Sequence, residues 1–312
     1  MTELQRYLAE EVAEDHADGI ITRREAMRRL GLLGVTGAAA TAMLAASTAG
    51  AQASGAHKAS RGRGGSSRGA RDVEWSPVAT EAITFPGPRG TLLAAWAPAE
   101  RPRGGVLVIH ENRGLNDHIR SVAGRFAASG YSALAIDLLS EEGGTGAFPG
   151  EAEVAAALAA VPPERFVADM KAGVTELGRR VPRKRVAATG FCFGGGMVWL
   201  LLTSGERRLA AAAPFYGPFP VGGELRGSRA AVLGIYAGLD ERVNATRDAA
   251  RAAVEAQRLE YQFVTFTEAG HAFFNDTGGT RFNPAAMAES YRRVLDWFDR
   301  FVAGDGEGDD DD

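Results

Sequence analysis

The chain has one cysteine in 312 residues, Cys192. A single thiol excludes an intrachain disulfide and a four-cysteine zinc site. No apolar run reaches the ~20 residues that span a bilayer. Neither sign of charge dominates: the formal net charge is -4, which offers no basic surface for nucleic acid. No internal repeat is present. The 45% hydrophobic and 24% charged content is that of a soluble globular protein, long enough for one large domain or two small ones.

The two ends differ from the middle. Thr22-Arg23-Arg24-Glu25-Ala26-Met27 precedes an Ala/Gly-rich apolar stretch from Leu30 to about Ala46 and a small-residue Ala51-Gln52-Ala53 site. This order resembles a twin-arginine export signal. Residues 1–53 are therefore expected to be a leader lying outside the fold. The expected address is periplasmic or secreted, and the export machinery a partner. Residues 54–71 are rich in Gly, Ser and Arg, as a flexible basic linker is. Residues 304–312 end in four aspartates and predict a disordered acidic tail.

Residues 72–303 alternate between strand and helix patterns. Residues 82–85 and 92–96 predict a hairpin across Pro86-Gly87-Pro88-Arg89-Gly90. Strands are expected at 105–110, 131–136, 185–189, 209–213, 231–237 and 261–266. Helices are expected at 117–128, 164–177, 197–202, 247–258 and 284–301. Such alternation implies a mostly parallel sheet with helices on both faces. In that architecture the chemistry lies at the carboxyl ends of the strands.

Gly190-Phe191-Cys192-Phe193-Gly194 lies between a buried strand and an apolar helix. Strand, Gly-x-nucleophile-x-Gly, helix resembles the nucleophile elbow of α/β-hydrolases, with sulfur in place of oxygen. The glycines suit a turn too tight for side chains beside the nucleophile. The start of the next helix favours thiolate over thiol. In that fold the order along the chain is nucleophile, acid, histidine. Of five histidines, His16 and His57 lie in the leader and linker, and His110 and His118 precede Cys192. Only His271 follows it, after the last strand. Asp240, after the strand 231–237, is the candidate acid, with Glu241 one residue on as its rival. The loop after His110 is expected to supply an oxyanion donor, the Asn112 amide, to pair with that of Phe193. His110-Glu111 does not make a zinc HExxH motif, because position 114 is glycine. No metal is expected.

His110-Glu111-Asn112-Arg113-Gly114-Leu115-Asn116, Gly190-Phe191-Cys192-Phe193-Gly194-Gly195-Gly196 and Gly270-His271-Ala272-Phe273 resemble the dienelactone hydrolase family, over about residues 80–303 and in the family's order. The resemblance implies an α/β-hydrolase fold and cofactor-free opening of a small-molecule ester or lactone through Cys192, Asp240 and His271. It implies that Glu111 helps turn a resting thiol into thiolate. The family places an arginine for the substrate carboxylate four residues after the histidine; here that position is Asn275. Arg113, Arg242 or Arg281 could take that role, and Tyr216 and Phe215 could line the pocket. A monomer is favoured. Two other readings fit the residues: a broad exported carboxylesterase or thioesterase, and a non-catalytic thiol-bearing binding protein.

Overall fold

The computed structural model describes residues 1–54 and 76–304, with backbone alone for 49–54. Most of the Gly/Ser/Arg segment and the acidic tail from residue 305 lie outside the described residues. In chain order the elements begin with α1 (Glu3–Ala17), α2 (Arg23–Leu32), α3 (Gly37–Ser54), β1 (Glu81–Gly87), β2 (Gly90–Ala97) and β3 (Gly104–Ile109). There follow α4 (Asp117–Ala128), β4 (Tyr131–Ile136), α5 (Glu151–Ala160), α6 (Pro163–Arg180), β5 (Val186–Phe191) and α7 (Phe193–Thr203). The last are β6 (Leu209–Phe215), β7 (Ala231–Ala237), α8 (Glu241–Asn244), α9 (Arg247–Ala256), β8 (Tyr261–Phe266) and α10 (Pro284–Phe298).

The chain divides into two units. One comprises residues 1–72 together with 148–161; the other comprises 73–147 and 162–312. In the first unit, α1 opens with a capping box. Thr2 Oγ1 accepts from the Gln5 amide at 3.1 Å, and Gln5 Oε1 accepts from the Thr2 amide at 2.9 Å. These bonds satisfy two of the donors a helix start leaves open. Arg23 and Arg24 occupy the first turn of α2, which Thr22 caps through the Glu25 amide. Arg28 pairs with Glu25 at 2.9 Å and with Glu153 of α5 at 2.6 Å. The stretch read as an export leader thus forms three helices. No described helix is long and apolar enough to cross a membrane.

The second unit is built on an eight-stranded sheet of order β1-β2-β4-β3-β5-β6-β7-β8. β1/β2 and β2/β4 are antiparallel, and the remaining pairs are parallel. β3, β4, β5 and β7 are buried along their whole length, as their unbroken apolar runs require of strands covered on both faces. α4 packs on β2 and β4, and α10 on β6 and β7. Phe126 meets Tyr291 and Phe298 between these two helices. α6 packs on β3 and β4, α7 on β5 and β6, and Phe166 meets Phe193 where α6 and α7 touch.

Helix ends follow local chemistry. Asn116 caps α4 by accepting from the Ile119 amide at 3.1 Å. α9 ends at Ala256, two residues before the expected Arg258. Arg258 adopts φ 55°, so its amide bonds the Glu255 carbonyl and the Leu259 amide bonds the Val254 carbonyl. This is a Schellman stop. The final helix is α-helical to Phe298 and closes with a π turn over Asp299–Ala303.

Candidate active site

β3, β5, β7 and β8 end on the same side of the sheet, and the loops that follow carry His110 to Leu115, Cys192, Asp240 and His271. Cys192 follows β5 with φ 57° and ψ -120°, a left-handed conformation that a side-chain-bearing residue keeps only when its surroundings enforce it. Its amide donates to the Phe215 carbonyl at 3.1 Å. Two glycines make this turn possible. A Cβ on Gly190 would strike the Gly194 carbonyl, and one on Gly194 would strike the Ile109 and His110 carbonyls. The Phe193 amide opens α7, where no intrahelical acceptor is available to it.

Cys192, Asp240 and His271 are each 2% exposed or less. His271 Nδ1 lies 2.5 Å from Asp240 Oδ2. Asp240 Oδ1 accepts from the Val243 amide at 3.1 Å, so the same carboxylate also caps α8. The Cys192 sulfur and a ring nitrogen of His271 lie within 4.8 Å. Burial penalises charge on both members of the His–Asp pair, but the partners outweigh it. Asp240 is held below the ordinary carboxylate range by His271 and the Val243 amide, and His271 is raised well above the ordinary imidazole value by Asp240 and Cys192. Both partners thus favour the state in which the proton sits on His271 and the sulfur is a thiolate.

Two more left-handed residues adjoin the pair: Tyr216 after β6, with φ 33°, and Ala272, with φ 61°. The Tyr216 amide donates to the Ile235 carbonyl at 2.7 Å. Its ring stands edge-on to His271, with centroids 5.2 Å apart.

The loop after β3 is fixed from within. His110 Nε2 accepts from the Leu138 amide at 3.1 Å, so Nδ1 carries the proton and donates to the Glu111 carbonyl at 2.6 Å. Burial lowers the His110 pKa despite nearby Asp137, which keeps the ring neutral in this bridging role. Thr145 Oγ1 accepts from the Leu115 amide at 2.9 Å and donates to Asp137 at 3.0 Å. Glu111 is buried, and its Oε2 accepts from Asn275 Nδ2 at 2.7 Å.

Among the residues singled out in the sequence, Cys192, Phe193, Asp240 and His271 come together here, with Tyr216 against the imidazole. Asn275 is joined to Glu111, Asn112 follows Glu111 in the loop after β3, and Arg113 comes next. Arg281 ends a single 3-10 turn at Gly279–Arg281. Sequence patterns gave no sign of the bridging roles of His110 and Thr145 or of the Asp276 cluster. Asp276 accepts from His118 Nδ1 at 3.0 Å and pairs with Arg125. Those two partners hold the Asp276 carboxyl below the usual carboxylate range.

A mostly parallel eight-stranded sheet in this order, with a strained residue at the strand-to-helix turn and a His–Asp pair after the later strands, defines an α/β-hydrolase. The model of the Dienelactone hydrolase family matches residues 92–302, and the chain belongs to that family. It is a hydrolase of the carboxymethylenebutenolidase-like kind. Two bacterial relatives bear the name "Putative carboxymethylenebutenolidase". The one from Methylorubrum extorquens is 30% identical over 217 residues, covering 63% of this chain and 72% of the relative. The one from Escherichia coli O157:H7 is 29% identical over 209 residues, covering 63% and 76%. The crystal structure of "Putative Dienelactone Hydrolase" from Klebsiella pneumoniae superposes with a TM-score of 0.62 at 26% identity. That match covers 71% of this chain and 98% of the other.

Proposed function

We propose that the protein cleaves a small ester or lactone through Cys192 and a thioester intermediate. The observation that carries this reading is the sulfur at the strained turn, within 4.8 Å of a ring nitrogen of the histidine that Asp240 orients. The Cys192 thiol gives its proton to His271, and sulfur attacks the substrate carbonyl carbon. The Phe193 and Asn112 amides receive the oxyanion. The acyl C–O bond breaks as His271 returns the proton to the departing oxygen, which in a lactone stays on the same molecule. His271 then takes a proton from water, the hydroxide attacks the thioester, and the acid leaves as the thiol re-forms. Asp240 keeps Nδ1 protonated and stabilises the imidazolium throughout. Glu111, buried on the neighbouring loop, assists formation of the thiolate.

Ring opening of a dienelactone, followed by ultraviolet absorbance beside a panel of p-nitrophenyl esters, tests the substrate class. Opening of the lactone above the rate of the esters supports a lactonase. Ester cleavage without lactone opening moves the assignment to a general esterase.

The order of Arg23-Arg24, apolar stretch and Ala51-Gln52-Ala53 supports export as the second part of this reading. Cells expressing the full chain are expected to hold it in the periplasmic or secreted fraction. The double variant Arg23→Lys, Arg24→Lys is expected to retain it in the cytoplasm. Equal distribution of the two forms would remove the export reading.

A further inference from the structure

At the amino ends of β6, β7 and β8 the second unit holds a cavity of about 370 Å³. The catalytic loops lie at the other ends of these strands. β7 is seven residues long, so the cavity is about 20 Å along the strand from the turn that carries Asp240. Its walls include Ser228, Arg229, Gln257, Arg258, Glu260 and Phe301.

The polar part of this lining is rich in unused donors. Arg229 and Arg258 are exposed, and neither has an ion pair among the described residues. One carboxylate in the lining, Glu260, stands against the two guanidinium groups, which leaves an excess of positive charge. Ser228 is 1% exposed, and its Oγ is buried with no hydrogen-bond partner among the described residues. A buried hydroxyl left without a partner is costly. Gln257 Nε2 donates to the Ser228 carbonyl at 3.4 Å, which ties the serine to the end of α9. The apolar wall is fixed as well. The Phe301 ring lies 4.6 Å from that of Trp297, whose Nε1 donates to the Ala231 carbonyl at 3.2 Å.

The backbone of Arg258 is an independent sign. Arg258 holds the left-handed position of the α9 stop, with φ 55°. Glycine usually takes that position, because it has no Cβ to strain. A positive charge at a helix C-terminus suits the dipole. That accounts for an arginine in the last turn but not for one on the strained residue itself. Strain of this kind is characteristic of residues kept for a function.

We infer that this cavity binds a small aromatic carboxylate, with Arg229, Arg258 and the Ser228 hydroxyl as its donors and Phe301 against its ring. Guanidinium groups match a carboxylate in charge and geometry, and aromatic rings pack edge-on or offset against one another. The inference goes beyond the acyl-transfer reading and does not depend on it.

Calorimetric titration of the full chain with benzoate tests it, with benzamide as the neutral match. Low ionic strength is used, because exposed charges are then screened least. Wild type is expected to bind benzoate, and benzamide about tenfold or more weakly. Arg258→Gly and Arg229→Ala are each expected to weaken benzoate about tenfold, and Ser228→Ala about threefold. Glycine suits the left-handed position, so Arg258→Gly should melt at or above the wild-type temperature. Should that variant fail to fold, Arg229→Ala makes the same test at an exposed residue. In all three variants kcat and KM for a p-nitrophenyl ester should stay within about twofold of wild type, which separates this cavity from carboxylate binding beside Cys192. Absence of benzoate binding in wild type, equal affinity for benzamide, or wild-type benzoate affinity in any of these variants overturns the inference.

Discussion

Replacing Cys192 with alanine is expected to lower kcat/KM for an activated ester by about 10⁴-fold or more. In the proposed mechanism it is the Cys192 sulfur that forms the acyl bond. The proposed oxyanion donors and the imidazole remain in the variant, but the proposed mechanism leaves them without a nucleophile. The fold should survive the change. Alanine keeps the backbone at the same strained φ, and the lost volume is one sulfur atom, a cost of about 1 kcal/mol. A melting curve beside the kinetic assay separates the two effects. Activity within about tenfold of wild type in a folded variant would mean that another group carries the chemistry.

Asp240→Asn is expected to have the second-largest effect, about 10³–10⁴-fold in kcat. The asparagine can present an N–H to His271 Nδ1 and so favour the wrong tautomer, leaving the other nitrogen unable to accept the thiol proton. It also removes the charge that raises the His271 pKa. The variant should therefore change the pH dependence of iodoacetamide alkylation at Cys192, because the thiolate–imidazolium pair loses its stabilising anion.

The same pair contributes stability with a definite sign. His271 is raised in the folded state, so its contribution is complete below the ordinary imidazole value of about 6.5 and is lost as pH rises through the folded value. Asp240 is lowered, so its contribution is present above the ordinary carboxylate value of about 3.9 and is lost as pH falls through the folded value. The pair stabilises most between those two ordinary values. Asp240→Asn should flatten that plateau in denaturant titrations.

The architecture was legible where the physics is local. β4, β7, β8 and α4 match their expected bounds to the residue, because apolar runs, an asparagine cap and short turns mark them in the chain. The elbow was legible because close backbone approach demands glycine at Gly190 and Gly194. α5 was not foreseen: its Ala-rich run carries no marked apolar stripe from which to read a helical face. Positive φ at Tyr216 and Ala272 also escaped, since neither residue type announces it. The join between Glu111 and Asn275 spans 164 positions and follows no spacing rule. Both ends of the Asn275 side-chain amide engage protein partners, Glu111 and Thr277.

The central claim is that an acyl group passes through the Cys192 sulfur. Intact-mass spectrometry of protein quenched in acid during turnover of a slowly hydrolysed bulky ester tests it most directly, with peptide mapping to locate the adduct. The account predicts one acyl group per chain, on the peptide containing Cys192, and none in Cys192→Ala. An acyl group on any other residue, or an equal adduct in Cys192→Ala, would contradict it.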